Sequence, residues 1–199
     1  MASVMHARAI PPVGGDTLFA DMELAYESLE PVLAAKIERL SARHSYAASF
    51  SLGNRTSADL EQVRADAEAQ GLFAVHPMVR THPETARRAL YVNRGFTTAV
   101  EGIGHAESEE LLEALFMHCE RNVLRHVWRK DDIVIWDNRR IIHHALPFPA
   151  GGAVRHMHRT TVKGDRPFLM ALMPEAKATA VEGQSHPPGI EGGTGRAKM

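Results

Sequence analysis

Apolar residues recur along the chain with two periods, near two and near 3.6, which predicts strands interrupted by helices. Residues 4–10 read as a short strand ended by Pro11-Pro12, and Val13-Gly14-Gly15-Asp16-Thr17 reads as a turn before the apolar Leu18-Phe19-Ala20. From Asp21 to about His44, Leu24, Leu29, Val32, Leu33, Ile37 and Leu40 recur at helical spacing. Pro31 suits a first turn and breaks an interior, so two helices are expected there. Residues 45–56 are irregular, and Ser57 is placed to cap a charge-rich helix that runs to about Gln70 and closes at Gly71. Residues 72–80 and 89–93 read as strands joined by a Thr-His-Pro-Glu-Thr turn. Ser108 is placed to cap an amphipathic helix with Leu111, Leu112, Leu115, Phe116 and Cys119 on its apolar stripe. Four further strands are expected, over 123–129, 132–137, 140–145 and 154–163. After Phe168 the pattern stops. Residues 174–199 are rich in Pro, Gly, Ala and Lys without hydrophobic periodicity, so 169–199 is expected to be a disordered tail behind one domain of 1–168. The order of elements suggests an α+β fold, a β-sandwich or jelly roll with helices laid outside it.

Composition narrows the classes. The 199 residues are 44% hydrophobic and 24% charged, as expected of a globular domain with a real core. A net charge of −1 gives no field that would favour nucleic acid or an anionic membrane as partner. No apolar run is long enough to cross a bilayer, and the first residues lack the order of a signal peptide. Cys119 is the only cysteine, which excludes an internal disulfide and a thiolate zinc cluster and fits a reducing cytoplasm. Twelve histidines stand out, because imidazole is the commonest metal ligand.

Chemistry concentrates in Asp132-Asp-Ile-Val-Ile-Trp-Asp-Asn-Arg-Arg-Ile-Ile-His-His-Ala145 and Val154-Arg-His-Met-His-Arg-Thr160. Strand alternation puts Arg155, Met157 and Arg159 on one face and His156 and His158 on the other. Two arginines facing a partly desolvated interior call for an anion, and a small carboxylate suits a guanidinium's paired donors. The same parity is equally compatible with both arginines on a solvated face. His143 and His144 are neighbours on a strand, so only one faces inward, and periodicity does not choose between them.

Five motifs occur in order: Gly14-Gly15-Asp16-Thr17-Leu18; His76-Pro77 with Arg80-Thr81-His82-Pro83; Tyr91-Val92-Asn93-Arg94-Gly95-Phe96-Thr97; Trp136-Asp137-Asn138-Arg139 followed by His143; and Arg155 to Arg159. Together they resemble the taurine dioxygenase / 2,4-dichlorophenoxyacetate dioxygenase family over residues 4–168. The resemblance implies a double-stranded β-helix, or jelly roll, that uses Fe(II), 2-oxoglutarate as cosubstrate and O2 on a small-molecule substrate. It implies a 2-His-1-carboxylate facial triad with His143 as the distal metal ligand. Thr17 and Arg155 match the residues that hold the far carboxylate of 2-oxoglutarate, and Arg159 and Phe96 match substrate-pocket positions. The retained Arg159 favours an anionic substrate. A homo-oligomer is left open.

The chain departs from the family in one respect. The His-x-Asp pair of the triad lies well upstream of the matching threonine, whereas only sixteen residues precede Thr17 and none forms His-x-Asp or His-x-Glu. An N-terminally incomplete jelly roll is therefore expected, with exposed sheet edges and apolar interior. His82-Pro83-Glu84 and His105-Ala106-Glu107 spell His-x-Glu, but the first falls in a loop segment away from the iron in the family and the second beside a helix start. Two other readings compete: a non-catalytic remnant that at most binds 2-oxoglutarate, and a cupin-like metal module built from His143, His144, His156 and His158. Strand alternation argues against the latter.

Overall fold

A computed structural model describes residues 1–45, 57–149 and 153–170. Eleven strands and four helices are found among them: β1 (Ala2–Ala9), β2 (Thr17–Asp21), α1 (Met22–Glu27), α2 (Pro31–Ile37), β3 (Ser41–Ser45), α3 (Ser57–Ala69), β4 (Phe73–Pro77), β5 (Val79–Thr81), β6 (Arg88–Leu90), β7 (Thr97–Val100), α4 (His105–Cys119), β8 (Val123–His126), β9 (Ile133–Asp137), β10 (Ile141–Ala145) and β11 (His156–Val162). The strands form antiparallel sheets in the orders β11-β1-β9, β10-β2-β8 and β4-β3-β7, with β5 and β6 as a separate pair.

The first two sheets lie face to face. Ser3 of β1 is in register with Trp136 of β9, and Phe19 of β2 with His143 of β10. The Trp136 ring meets Phe19 at 5.3 Å and His143 at 4.8 Å between centroids. The opposite face of β2 and β10 turns Ala20 and Ile142 towards the main core, with Met22 and Ala25 of α1, the α4 stripe, and Met78, Val79, Leu90 and Val92. The sheet β10-β2-β8 thus separates the helical core from the inter-sheet space. This matches a sandwich with helices outside, although no barrel closes among the described residues. Sheet β11-β1-β9 leaves Ile133 and Ile135 exposed on its outer face, and Leu124 of β8 is exposed on the inner side of its own sheet, opposite Phe19.

Three local expectations are corrected. The helical reading from Asp21 to His44 overruns: Asp21 caps α1 through Glu23 N–H and Leu24 N–H, α2 starts at Pro31 and ends at Ile37, and residues 41–45 form β3. Pairing with β4 on one side and β7 on the other satisfies the β3 backbone and overrides local periodicity. The Leu40 carbonyl accepts from Met78 N–H outside any helix. Second, Ser108 is not a cap. Helix α4 begins a turn earlier with Gly104 as N-cap, and the buried Ser108 hydroxyl accepts the Val100 N–H at 2.8 Å, tying α4 to β7. Third, the single strand expected over 72–80 is two, β4 and β5, in different sheets. The α4 stripe, the division at Pro31 and the strands β8 to β11 agree with the pattern, each shorter than expected by one to three residues at an end. The described chain continues past Phe168: Thr81 N–H donates to the Phe168 carbonyl, Met170 N–H to Thr81 Oγ1, and Leu169 packs on the core. Ser45, the first residue of the stretch 45–56 expected to be irregular, ends β3, and residues 46–56 and 171–199 lie outside the described residues.

Candidate functional site

The inter-sheet space collects most of the residues singled out from the sequence. Gly14 and Gly15 take left-handed backbone angles, φ +77° and +73°, which glycine adopts without a Cβ clash. Gly15 N–H donates to the Pro147 carbonyl and Leu146 N–H to the Asp16 carbonyl, so the turn is stitched to the end of β10. Asp16, almost fully buried, is held by Arg125 at 2.6 Å. Thr17 then enters β2 with its side chain inward and only 2% exposed.

Arg155 reaches the same turn from the residue before β11. Its Nε donates to the Gly15 carbonyl at 2.9 Å, and Nη2 lies 3.4 Å from Thr17 Oγ1. A Cβ on Gly15 would lie 3.1 Å from Arg155 Cδ, so the close approach also needs glycine. Burial lowers the basicity of this guanidinium below its ordinary value, because desolvation disfavours the charged form. Arg159, two steps further along the same face of β11, donates from Nη2 to Ser3 Oγ at 3.1 Å and lies 5.9 Å from the Trp136 ring centre.

His143 resolves the ambiguity of the histidine pair: it faces inward against Trp136 and Phe19, and His144 falls on the other face. The His143 ring keeps solvent access at its edge, yet enough protein surrounds it to lower its pKa, with the positive charge of Arg159 and then His144 adding to the effect. A neutral imidazole at neutral pH has a lone pair to offer a metal. His143 and Arg155 therefore meet one inter-sheet space, His143 from β10 and Arg155 from the residue before β11, a strand of the other sheet. Phe96 is elsewhere. It lies half-exposed in the turn before β7, where Asn93 Oδ1 accepts its N–H and its carbonyl accepts from Ser45. None of the described contacts joins it to the cavity residues.

Iron has a poor fit to these residues alone. Among the described residues no group of three or more His, Cys, Asp or Glu converges as a metal site, and His-x-Asp does not occur in the sequence. The His-x-Glu sequences are committed to other bonds. His82 Nε2 pairs with Asp137 at 3.1 Å while its Nδ1 accepts backbone N–H groups of Glu84 and Thr85, and Glu84 pairs with Arg139. His105 is an exposed helix-start residue, and Glu107 pairs with Lys36. A third, His118-Cys119-Glu120, went unnoticed in the sequence; His118 Nε2 is 2.9 Å from the Ala25 carbonyl and Glu120 faces Arg94. A four-histidine module is also excluded in its simplest form, since His156 and His158 lie on the outer side of β11, away from His143.

Sequence reasoning missed three contributors. Trp128 is 4% exposed and donates its indole N–H to Thr17 Oγ1 at 2.9 Å. Ser3, fully buried, links Arg159 to Asn138, whose Oδ1 also accepts the Trp136 indole N–H. His126 points inward opposite Thr17, its ring 4.5 Å from Trp128. The available signal was parity: Ser3, Met5 and Ala7 share the inner face of β1, and a small polar residue on such a face implies a bonded partner. Beside the cavity, the Asp137 carboxyl is raised by burial but pulled further down by hydrogen bonds from the Arg139 side chain and backbone and from His82. It stays well below the usual carboxylate range.

Known proteins resemble this chain in sequence and in fold. The model of the family described as taurine catabolism dioxygenase TauD, TfdA matches residues 1–161. An (S)-phenoxypropionate/alpha-ketoglutarate-dioxygenase of Sphingobium herbicidovorans is 40% identical over 173 residues, covering 85% of this chain and 60% of the relative. An alpha-ketoglutarate-dependent 2,4-dichlorophenoxyacetate dioxygenase of Cupriavidus pinatubonensis is 34% identical, covering 82% and 55%. The crystal structure of a taurine dioxygenase from Burkholderia xenovorans superposes with a TM-score of 0.69 at 34% identity, covering 83% of this chain and 53% of that one. The chain thus spans little more than half the length of these relatives. On the family match and these identities, the chain belongs to the taurine catabolism dioxygenase TauD, TfdA family.

Proposed function

We propose that this chain is the cosubstrate-binding and distal-histidine portion of an Fe(II)- and 2-oxoglutarate-dependent dioxygenase that hydroxylates a small anionic organic molecule, releasing succinate and CO2. The observation that carries the reading is the Arg155–Thr17 pair, a guanidinium beside a buried hydroxyl on the inner face that also holds His143. Arg155 and Thr17 hold the terminal carboxylate of 2-oxoglutarate. His143, neutral and inward, offers one ligand to the iron. Arg159, tethered by Ser3, receives an anionic group of the substrate, while Trp136 and Phe19 form an apolar wall beside His143. Bound iron would supply the oxidising chemistry, but the described residues offer it His143 alone, so the protein's part is limited to binding and orientation. Relatives named as dioxygenases of phenoxypropionate, 2,4-dichlorophenoxyacetate and sulfonates support an acidic substrate. A structural neighbour was solved with Mn(II) and N-oxalylglycine, a small dicarboxylate with the same kind of acid end.

The lack of a three-residue metal cluster among the described residues favours a second reading, in which the 199-residue chain by itself binds 2-oxoglutarate without turning it over. Titration with 2-oxoglutarate, followed by calorimetry, tests the site. Saturable binding that falls at least about tenfold in Arg155→Gln is expected, the scale of losing a charged hydrogen-bond partner. Unchanged binding in that variant refutes the clamp. Succinate formation under iron and ascorbate separates the two readings: little or none is expected of the isolated chain, and robust iron-dependent turnover would show it to be a complete enzyme.

A further inference from the structure

We infer that Trp128 is a positioning residue whose indole N–H, by occupying Thr17 Oγ1, turns the Thr17 hydroxyl into a fixed donor aimed at the terminal carboxylate of the bound oxoacid. The inference rests on the cosubstrate site proposed above. A hydroxyl has one hydrogen to donate and two lone pairs to accept with, whereas indole and guanidinium N–H groups only donate. Thr17 Oγ1 accepts from Trp128 Nε1 at 2.9 Å and faces Arg155 Nη2 at 3.4 Å. Both of its acceptor directions are therefore taken by protein, and none of the described hydrogen bonds uses its own hydrogen.

The neighbouring donors are committed in the same sense. Arg155 Nε is bound to the Gly15 carbonyl. None of the described hydrogen bonds uses the Thr17 O–H or Arg155 Nη1, which leaves two donors for the two oxygens of one carboxylate. Trp128 itself is held from behind. His126 stands edge-on to its ring at 4.5 Å, and the following turn is closed by Arg129 N–H donating to Asp132 Oδ2 at 2.8 Å. Because Trp128 is buried, its N–H serves the ligand only through Thr17. Without the indole, the hydroxyl hydrogen is free to rotate and must be reoriented on each binding event, a loss of preorganisation.

The test compares 2-oxoglutarate with 2-oxopentanoate, which keeps the oxoacid end and lacks the terminal carboxylate. Both are titrated by calorimetry into the full chain and its Trp128→Phe, Thr17→Val, Arg155→Gln and Trp128→Phe/Thr17→Val variants. The readout is the preference ratio between the acids, since general damage to the cavity weakens both alike. Trp128→Phe is expected to lower the ratio about five- to tenfold, the scale of one well-placed hydrogen bond, and to lower it no further where Thr17→Val has already removed the hydroxyl. If Thr17→Val and Arg155→Gln lower the ratio and Trp128→Phe does not, the role of Trp128 is overturned and the site stands. A wild-type ratio near one, no uptake of either acid, or indifference to Arg155→Gln overturns the site and the inference together. Should Trp128→Phe fail to fold, hydrogen exchange at the labelled Trp128 indole supplies the second measurement. The N–H should stay protected when 2-oxoglutarate is added and lose protection in Thr17→Val; unchanged protection in Thr17→Val overturns the inference.

Discussion

Trp136 of β9 and His143 of β10 belong to different sheets, yet their rings lie 4.8 Å apart, and this contact joins the two layers at the candidate site. The indole is 6% exposed and fixed at its other end by Nε1–H donating to Asn138 Oδ1 at 2.9 Å. Replacing it removes a large aromatic surface that nothing nearby can fill. Trp136→Ala is expected to lower the unfolding free energy by about 3–5 kcal/mol, measured by urea titration with circular dichroism. A loss below about 1 kcal/mol would mean that the sheets are joined elsewhere.

The same contact gives a local report of metal at His143. Co(II) held there should quench Trp136 emission, and His143→Ala should abolish that quenching while His144→Ala leaves it, because residue 144 lies on the opposite face of the strand. The affinity is expected to be weak, since one imidazole competes poorly with water for a divalent ion. If His144→Ala proves the more damaging of the two, the register of β10 is wrong.

Gly15 supports Arg155 directly. At φ +73° an alanine is strained, and its Cβ would press 3.1 Å from Arg155 Cδ and 3.2 Å from Pro11 Cγ. Gly15→Ala should cost about 1–2 kcal/mol of stability and also weaken 2-oxoglutarate binding, because the guanidinium must shift to make room. Thermal melts and the calorimetric titration read the two effects separately; intact binding in a destabilised variant would show that Arg155 can reach the ligand by another path.

What was legible in the chain was mostly periodicity and parity. The α4 stripe follows from helical spacing and the strands β8 to β11 from alternation, and parity alone put Arg155, Met157 and Arg159 on one face. Parity could not say whether that face was wet or dry, and it could not choose His143 over His144, because both questions depend on which sheet lies opposite. The motif resemblance supplied that choice, and packing against Phe19 and Trp136 agrees with it. Ser41–Ser45 was misread because Leu33, Ile37 and Leu40 continue a helical spacing that is overridden only by pairing with β4 and β7, partners distant in sequence. Trp128 and Ser3 escaped notice for a similar reason: their roles come from bonds to residues more than a hundred positions away.

A final expectation concerns acid. His44 of β3 packs against His76 and Tyr91 at 5.6 and 5.3 Å, with Thr97 Oγ1 at 3.2 Å from its Nδ1. Burial, and then the nearby His76, lower its pKa to about 4. In the unfolded chain the same imidazole titrates near 6.5, so between about 6.5 and 4 the unfolded state binds a proton that the folded state refuses. Stability contributed by the neutral ring is complete above 6.5, declines as the pH falls through that window, and levels off below 4. Melting temperatures taken at pH 7.5, 5.5 and 4.5 should therefore fall more steeply in the wild type than in His44→Gln, which keeps a polar group for Thr97 and cannot be protonated. A smaller slope should survive in the variant, because burial, Arg166 and Arg80 also hold the His76 pKa down. Equal slopes in the two proteins would place the acid sensitivity outside β3, and not at Asp137, whose carboxylate is held below the usual range by Arg139 and stays charged over this whole span.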